Sequence, residues 1–246
     1  MAVAQDLIAS SEHRLVMGLG PTGLSVARYL YARGETFTVV DTRSDPPGLD
    51  ELRREMPEVP VFTGDIPDAV LTSASALVVS PGLALDEPIV ARAIEAGAEV
   101  TGDIDLFAAA ATAPVVGITG SNAKSTVTAL LGVMAERAGL AAGVGGNLGT
   151  PALELLDESC QLYIVELSSF QLERAGNLDL AVAAVLNITP DHLDRHGSMP
   201  RYHQAKHRIF RGCSKAVANR DDPLTIPLVD DQVEVISWRM GEPELN

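Results

Sequence analysis

Lys124 has the most chemistry gathered around it in sequence. Ser125 and Thr126 follow it, and the apolar run Val115-Val-Gly-Ile-Thr, closing in Gly120, Ser121, Asn122 and Ala123, precedes it. A strand, a tight turn and a helix start in that order suit a nucleoside triphosphate. Backbone N–H groups of the turn face the phosphates, the ammonium reaches the outer ones, and a hydroxyl can ligate Mg2+. The strict phosphate-loop pattern is missed twice, since Ile118 and Ala123 stand where it has glycine. A plain strand-to-helix turn at Gly120 and Asn122, with no ligand, accounts for the same residues.

A second candidate lies upstream. Gly18-Leu-Gly20-Pro21-Thr22-Gly23 ends one strand and opens a helix, and Asp41 ends the next strand. This is the order of a dinucleotide fingerprint: the turn and helix N-terminus hold a diphosphate and Asp41 accepts from a ribose or uridine hydroxyl. Thr42 and Arg43 add a hydroxyl and a cation, and Ser80-Pro-Gly82 ends another strand on the same edge. The fingerprint does not choose nicotinamide over another nucleoside diphosphate. Close helix–strand packing alone, with no ligand, also accounts for it.

Four more polar groups stand at strand ends or on a nearby helix: Asn147, Glu166 with Ser168 just after it, His192, and Lys206. Strand-end positions gather at one edge of a parallel sheet, so Lys124, Glu166 and His192 can converge despite their separation. Singly, each reads as well as a surface carboxylate, a helix-cap histidine or a solvated lysine. Four of the five histidines lie between His192 and His207, but no cysteine stands at zinc spacing.

The elements that must position these groups alternate along the chain. Short apolar or β-branched segments at 14–19, 37–41, 76–80, 115–119, 162–166 and 182–187 predict strands. Helical spacing at 24–32, 89–96 and 127–138 ends each time in a glycine: Gly34, Gly97 and Gly139. Such alternation predicts an α/β protein, a Rossmann-like parallel-sheet domain followed by a phosphate-loop α/β domain. The alanine-rich stretch ending at Pro114 places the boundary between residues 1–112 and 113–246.

Composition bounds the function. In 246 residues, 33 acidic against 18 basic side chains give a net charge of −15, which argues against a nucleic-acid or anionic-membrane surface. An apolar share of 46% with 21% charged residues is that of a globular chain. Cys160 and Cys213 read as reduced thiols, and Asp6 and Glu12 interrupt any leader-like apolar start. A cytoplasmic protein without a membrane span is expected.

Together the motifs resemble the Mur ligase family. They are Gly-Ile-Thr-Gly-Ser-Asn-Ala-Lys-Ser-Thr-Val-Thr at 117–128, Val-Gly-Gly-Asn-Leu-Gly at 144–149, Glu-Leu-Ser-Ser-Phe-Gln-Leu at 166–172 and Asp-His-Leu-Asp-Arg-His at 191–196. Asp-Thr-Arg at 41–43, Pro-Pro-Gly-Leu-Asp at 46–50 and Ser-Pro-Gly at 80–82 point to members acting on UDP-N-acetylmuramoyl-L-alanine and D-glutamate. In the family's loop a glycine directly precedes the lysine, so Ala123 is the departure and Ile118 is ordinary.

The resemblance implies a reaction in peptidoglycan precursor synthesis. ATP phosphorylates the substrate carboxylate, and the amine of D-glutamate attacks the acyl phosphate through a tetrahedral intermediate. It implies catalytic roles for Lys124, His192 and Lys206, with ATP on residues 120–126. Ser125 and Glu166 would hold one Mg2+ and His192 would help hold a second, with Lys206 carbamylated as a further metal ligand. Asn147, Ser168 and His192 would lie near the acyl end of the substrate, and Pro21, Thr22, Asp41, Thr42, Arg43 and Gly82 at its UDP group. A monomer is expected. Family members are close to twice as long, so the match covers the amino-terminal domain and part of the central one. This chain alone is expected to bind the UDP substrate and not to turn over. Two other readings stay open: a nicotinamide-dependent oxidoreductase using Gly18–Gly23, and a nucleotide-binding protein without catalysis, which Ala123 favours.

Overall fold

The computed structural model describes residues 13–147 and 149–241. The expectation about a leader, resting partly on Asp6 and Glu12, reaches outside the described residues, as does Leu148 within the 144–149 motif.

Two all-parallel sheets carry the fold. The first holds β1 (Arg14–Met17), β2 (Phe37–Asp41), β3 (Val61–Thr63), β4 (Ala76–Val79) and β5 (Glu99–Thr101), in the order β3-β2-β1-β4-β5. Helices α1 (Pro21–Ala32), α2 (Leu49–Glu55), α3 (Asp68–Thr72) and α4 (Pro88–Glu95) connect them, and α5 (Asp103–Ala110) follows. All five residues of β2 are buried, the pattern of a strand covered on both faces.

The second sheet runs β11-β10-β9-β6-β8-β7. Its strands are β6 (Val115–Thr119), β7 (Ala142–Gly146), β8 (Leu162–Glu166), β9 (Val182–Val185), β10 (Lys215–Asn219) and β11 (Glu234–Trp238). Around them lie α6 (Lys124–Arg137), α7 (Ser169–Arg174), α8 (Leu193–His196) and α9 (Met199–His207). The α/β expectation is met, in both sheets.

Element ends differ from the sequence reading for local reasons. β1 stops at Met17 because Gly18 turns at φ +92. α1 begins at Pro21 rather than at the first apolar residue, since proline suits the opening position of a helix. α6 likewise starts at Lys124, before its apolar spacing begins. The unpredicted strands β3, β5, β7, β10 and β11 are short, glycine-rich or charged.

An apolar cluster runs through both sheets, with Phe107 of α5 set edge-on to Tyr163 of β8 at 5.3 Å between ring centres. β11 is different: it lies at the rim of its sheet, and Val235, Ile236 and Trp238 are all nearly half exposed. Among the described residues, no helix is long and apolar enough to cross a membrane.

Candidate functional site

The first site sits where the order of the first sheet reverses, outside the carboxyl ends of β1, β2 and β4. A cavity of about 420 Å³ opens there, lined among others by Pro21, Thr22, Asp41, Thr42, Arg43 and Gly82, so all six residues expected at a UDP group share it. Gly23 lets α1 approach, because a Cβ on it would lie 1.8 Å from the Gly18 carbonyl oxygen.

Asp41 does not face the cavity freely. Its carboxylate is buried and accepts from the Leu19 N–H (2.7 Å), the Arg43 N–H (2.9 Å) and the Arg43 guanidinium (2.6 and 2.9 Å). Burial pushes its pKa up, but the Arg43 guanidinium and these N–H donors outweigh that and hold it below the usual carboxylate range. In this state Arg43, which is half exposed, presents the polar surface, and Asp41 positions it.

The second site lies at the carboxyl ends of β6, β8 and β9, again where strand order reverses. The loop after β6 is clamped to the segment after β9. Asn187 accepts from the Ser121 N–H through its carbonyl (2.9 Å) and from the Asn122 N–H through its side chain (2.8 Å). Ser121 is buried, donating to the Thr189 carbonyl at 3.0 Å and pairing with the Tyr202 hydroxyl at 2.9 Å. These two amides are therefore engaged internally, and those at the start of α6 are the donors left for a phosphate. Gly120 is buried, and Asn122 and Thr126 are exposed beside Lys124. Lys124 donates to the Ser121 carbonyl at 3.2 Å.

Ala123 adopts φ +64, ψ +6, the left-handed conformation, at the N-cap of α6. This is the position at which a missing glycine matters, since an L-residue there carries about 1–2 kcal/mol of strain.

Glu166 is buried at the end of β8 and accepts from Ser125 Oγ and from Asn147 Nδ2, each at 2.7 Å. Asn147 thereby holds the carboxylate, and its own N–H donates to the Glu166 carbonyl at 2.8 Å. Ser168 is engaged in the fold, because its hydroxyl accepts from the Gln171 N–H and caps α7.

Lys206 is only 2% exposed, yet it is a lysine. It donates to the Gly120 carbonyl at 2.8 Å and to Thr119 Oγ1 at 3.5 Å, and lies 4.7 Å from the Tyr202 ring centre. Burial pulls its pKa down to about 7, Lys124 adds to the drop, and Asp191 and Glu166 oppose it.

His192 adopts φ +50 just before α8 and is half exposed. Its ring lies 4.9 Å from Phe170, with Nε2 at 3.4 Å from Asp191. The structure thus ties Ser125 and Asn147 to Glu166, sets Lys124 and Lys206 on adjacent carbonyls of the loop, at Ser121 and Gly120, and leaves His192 beside Asp191.

Sequence reasoning missed Asn187, Thr189 and Tyr202, which shape the loop, and Asp191. Asn187 and Asp191 sit within the segment that carries His192, so a search for strand-end polar residues could have found them. Arg174 was missed because nothing in its sequence marks where it reaches. A larger cleft, about 760 Å³, lies between α1 and the segment 153–163 and holds none of these residues.

The chain is similar to known proteins in both halves. Residues 12–102 match the family description "Mur ligase MurD-like, N-terminal domain", and 118–242 match "Mur ligase middle domain". A Pseudomonas aeruginosa protein named UDP-N-acetylmuramoylalanine--D-glutamate ligase is 53% identical over 239 residues, covering 97% of this chain and 53% of that protein. A Marinobacter nauticus protein of the same name is 50% identical, over 95% of this chain and 52% of its own length. The chain spans about half the length of the curated relatives it matches. Among solved structures, the UDP-N-acetylmuramate:L-alanyl-gamma-D-glutamyl-meso-diaminopimelate ligase from Neisseria meningitides shares the fold, with a TM-score of 0.61 at 17% identity over 95% of this chain and 81% of that one. This chain belongs to the Mur ligase family.

Proposed function

We propose that this chain carries the UDP-substrate and ATP sites of a ligase that joins D-glutamate to UDP-N-acetylmuramoyl-L-alanine. The observation that carries this reading is the pairing of two sites at sheet edges. Lys124, Ser125, Glu166 and Lys206 gather at one, and the six residues expected at UDP line a single cavity at the other. We divide the chain accordingly, with residues 1–112 holding UDP and 113–246 holding ATP. A cytoplasmic monomer completes the reading, in keeping with the free cysteines Cys160 and Cys213.

The donor set fits Mg2+ at the first position. Ser125 and Glu166 offer hard oxygens 2.7 Å apart. An ion held by these two would keep water and phosphate oxygens as its other ligands. When bound, Mg2+ would neutralise phosphate charge and orient the γ-phosphate. The second position fits only with Lys206 carbamylated, because an ammonium there donates and repels. A lysine with its pKa near 7 supplies the neutral amine that adds CO2.

In this reading Lys124 turns from the Ser121 carbonyl to the outer phosphates. The α6 amides hold the phosphate chain, Asn147 keeps Glu166 in place, and the substrate carboxylate reaches the γ-phosphate from the side of His192. Transfer makes an acyl phosphate, and the D-glutamate amine then displaces phosphate.

Calorimetric titration tests it. UDP-N-acetylmuramoyl-L-alanine should bind and be displaced by UDP, and Lys124→Ala should abolish binding of ATP with Mg2+. NADH binding at the first site, read by fluorescence, would overturn the assignment in favour of an oxidoreductase. Phosphate release dependent on D-glutamate from this chain would overturn the expectation that it does not turn over.

A further inference from the structure

Arg174, the last residue of α7, is only 6% exposed and carries no role in the chemistry above. Its guanidinium crosses to the first sheet. Nη1 donates to the carbonyls of Val79 (2.8 Å) and Ser80 (2.5 Å), and Nη2 to that of Leu83 (2.8 Å). Arg195 of α8 donates to the same Leu83 carbonyl at 3.3 Å, is paired with Glu173 at 2.9 Å and lies 5.5 Å from the Phe170 ring centre. The loop held in this way contains Ser80, Pro81 and Gly82, which line the 420 Å³ cavity.

The other ends of both arginines lead to the second site. α7 begins three residues after Glu166, and Arg195 lies three residues after His192. α7 is also fixed laterally: Gln171 donates to the buried Asp103 at 2.9 Å, and Gly176 N–H donates to Asp105 at 2.7 Å. One rigid fork therefore spans three carbonyls of one site from a helix anchored at the other. Lysine cannot reproduce this, having a single nitrogen centre on a flexible stem.

We propose that Arg174, supported by Arg195, is a positioning residue that couples the UDP cavity to the nucleotide–Mg2+ site through the loop 79–83. The proposal rests on the reading that both sites bind. Ligand contact that settles Ser80–Gly82 sets the carbonyls the fork holds, and so sets the start of α7 next to Glu166. The same link works in reverse, because coupling between sites is reciprocal.

The test measures the affinity of UDP-N-acetylmuramoyl-L-alanine for this chain with and without a saturating non-hydrolysable ATP analogue and Mg2+. The wild-type chain should show a ratio of about fivefold or more. Arg174→Lys should bring that ratio close to one, whatever it does to each affinity alone, a change that mere loss of stability does not produce. Arg195→Met, at a partly exposed position, serves if Arg174→Lys fails to fold, and should lower the ratio part of the way. Both ligands binding the wild type with a ratio of one, or an undiminished ratio in the folded variants, would overturn the coupling and leave the function intact. Failure of either ligand to bind the wild type would instead refute the reading of the sites, and the coupling with it.

Discussion

Ser125 Oγ donates to Glu166 Oε2 at 2.7 Å, joining the first turn of α6 to the end of β8. The hydroxyl and carboxylate expected to share a cation are thus adjacent. Glu166→Gln keeps the shape and the partner but removes the charge. It should weaken binding of the ATP analogue by about tenfold or more in the presence of Mg2+, the worth of a charged contact. Titration without Mg2+ should show little difference, and an equal loss in both would place Glu166 outside the cation site.

Ala123 sits at φ +64 with its carbonyl accepting from the Val127 N–H. Glycine relieves the left-handed strain but gains freedom in the unfolded chain. The net should be about 0.5–1 kcal/mol in favour of Ala123→Gly. Thermal unfolding should rise by a few degrees, and ATP binding should tighten because the methyl leaves the phosphate path. An unchanged or lower affinity in calorimetry would refute that effect on the nucleotide.

Lys206 yields a pH dependence with a definite sign. Its folded pKa, about 7, lies below the ordinary 10.5, so between these values the folded state binds fewer protons than the unfolded one. Stability from this group therefore rises with pH from about 7 upward, and is lost below 7 where burial penalises the ammonium. In bicarbonate-free urea titrations, wild type should gain about 1–3 kcal/mol from pH 7 to 9 relative to Lys206→Met. Added 13C-bicarbonate should give a carbamate resonance that the methionine variant lacks.

Asp41 works in the opposite sense. Burial raises its folded pKa, but Arg43 and the backbone amides outweigh this and leave it depressed. Its contribution is therefore present above the unfolded value and fades as pH falls through the folded one. Asp41→Asn should cost about 1–3 kcal/mol at neutral pH by leaving Arg43 and the Leu19 amide poorly paired. Equal wild-type and variant stability at pH 7, or a difference that does not shrink at acid pH, would contradict this.

Arg28 offers a contrast. It reaches Glu51, Glu55 and Glu154, the last from the segment before β8, yet over a third of its side chain is exposed. Arg28→Met should change stability by less than about 1 kcal/mol, because solvent screens such pairs. Chemical denaturation at low and high salt measures it.

The strands β2, β6 and β8 could be read from sequence to the residue, since a buried parallel strand is a short apolar run ended by a polar group at the sheet edge. That same rule located Asp41, Glu166 and the Lys124 loop. β7, with its sequence Ala-Gly-Val-Gly-Gly, defeats the rule because its apolar character is thin and its neighbours supply the pairing. What Ser168 and Asp41 do was hidden for another reason. Both look like free polar groups, but a helix cap absorbs one and an internal ion pair the other. Arg174 was illegible, because its acceptors are backbone carbonyls some ninety residues away, and carbonyls leave no trace in residue type.

β11 has one long side unfilled, since among the described residues it pairs only with β10, and all five of its residues are exposed. A rim strand with unclaimed amides and carbonyls, studded with valine, isoleucine and tryptophan, is a template onto which another extended peptide can zip. Light scattering should therefore show the monomer at low concentration associating reversibly as concentration rises, and Ile236→Lys should suppress that rise.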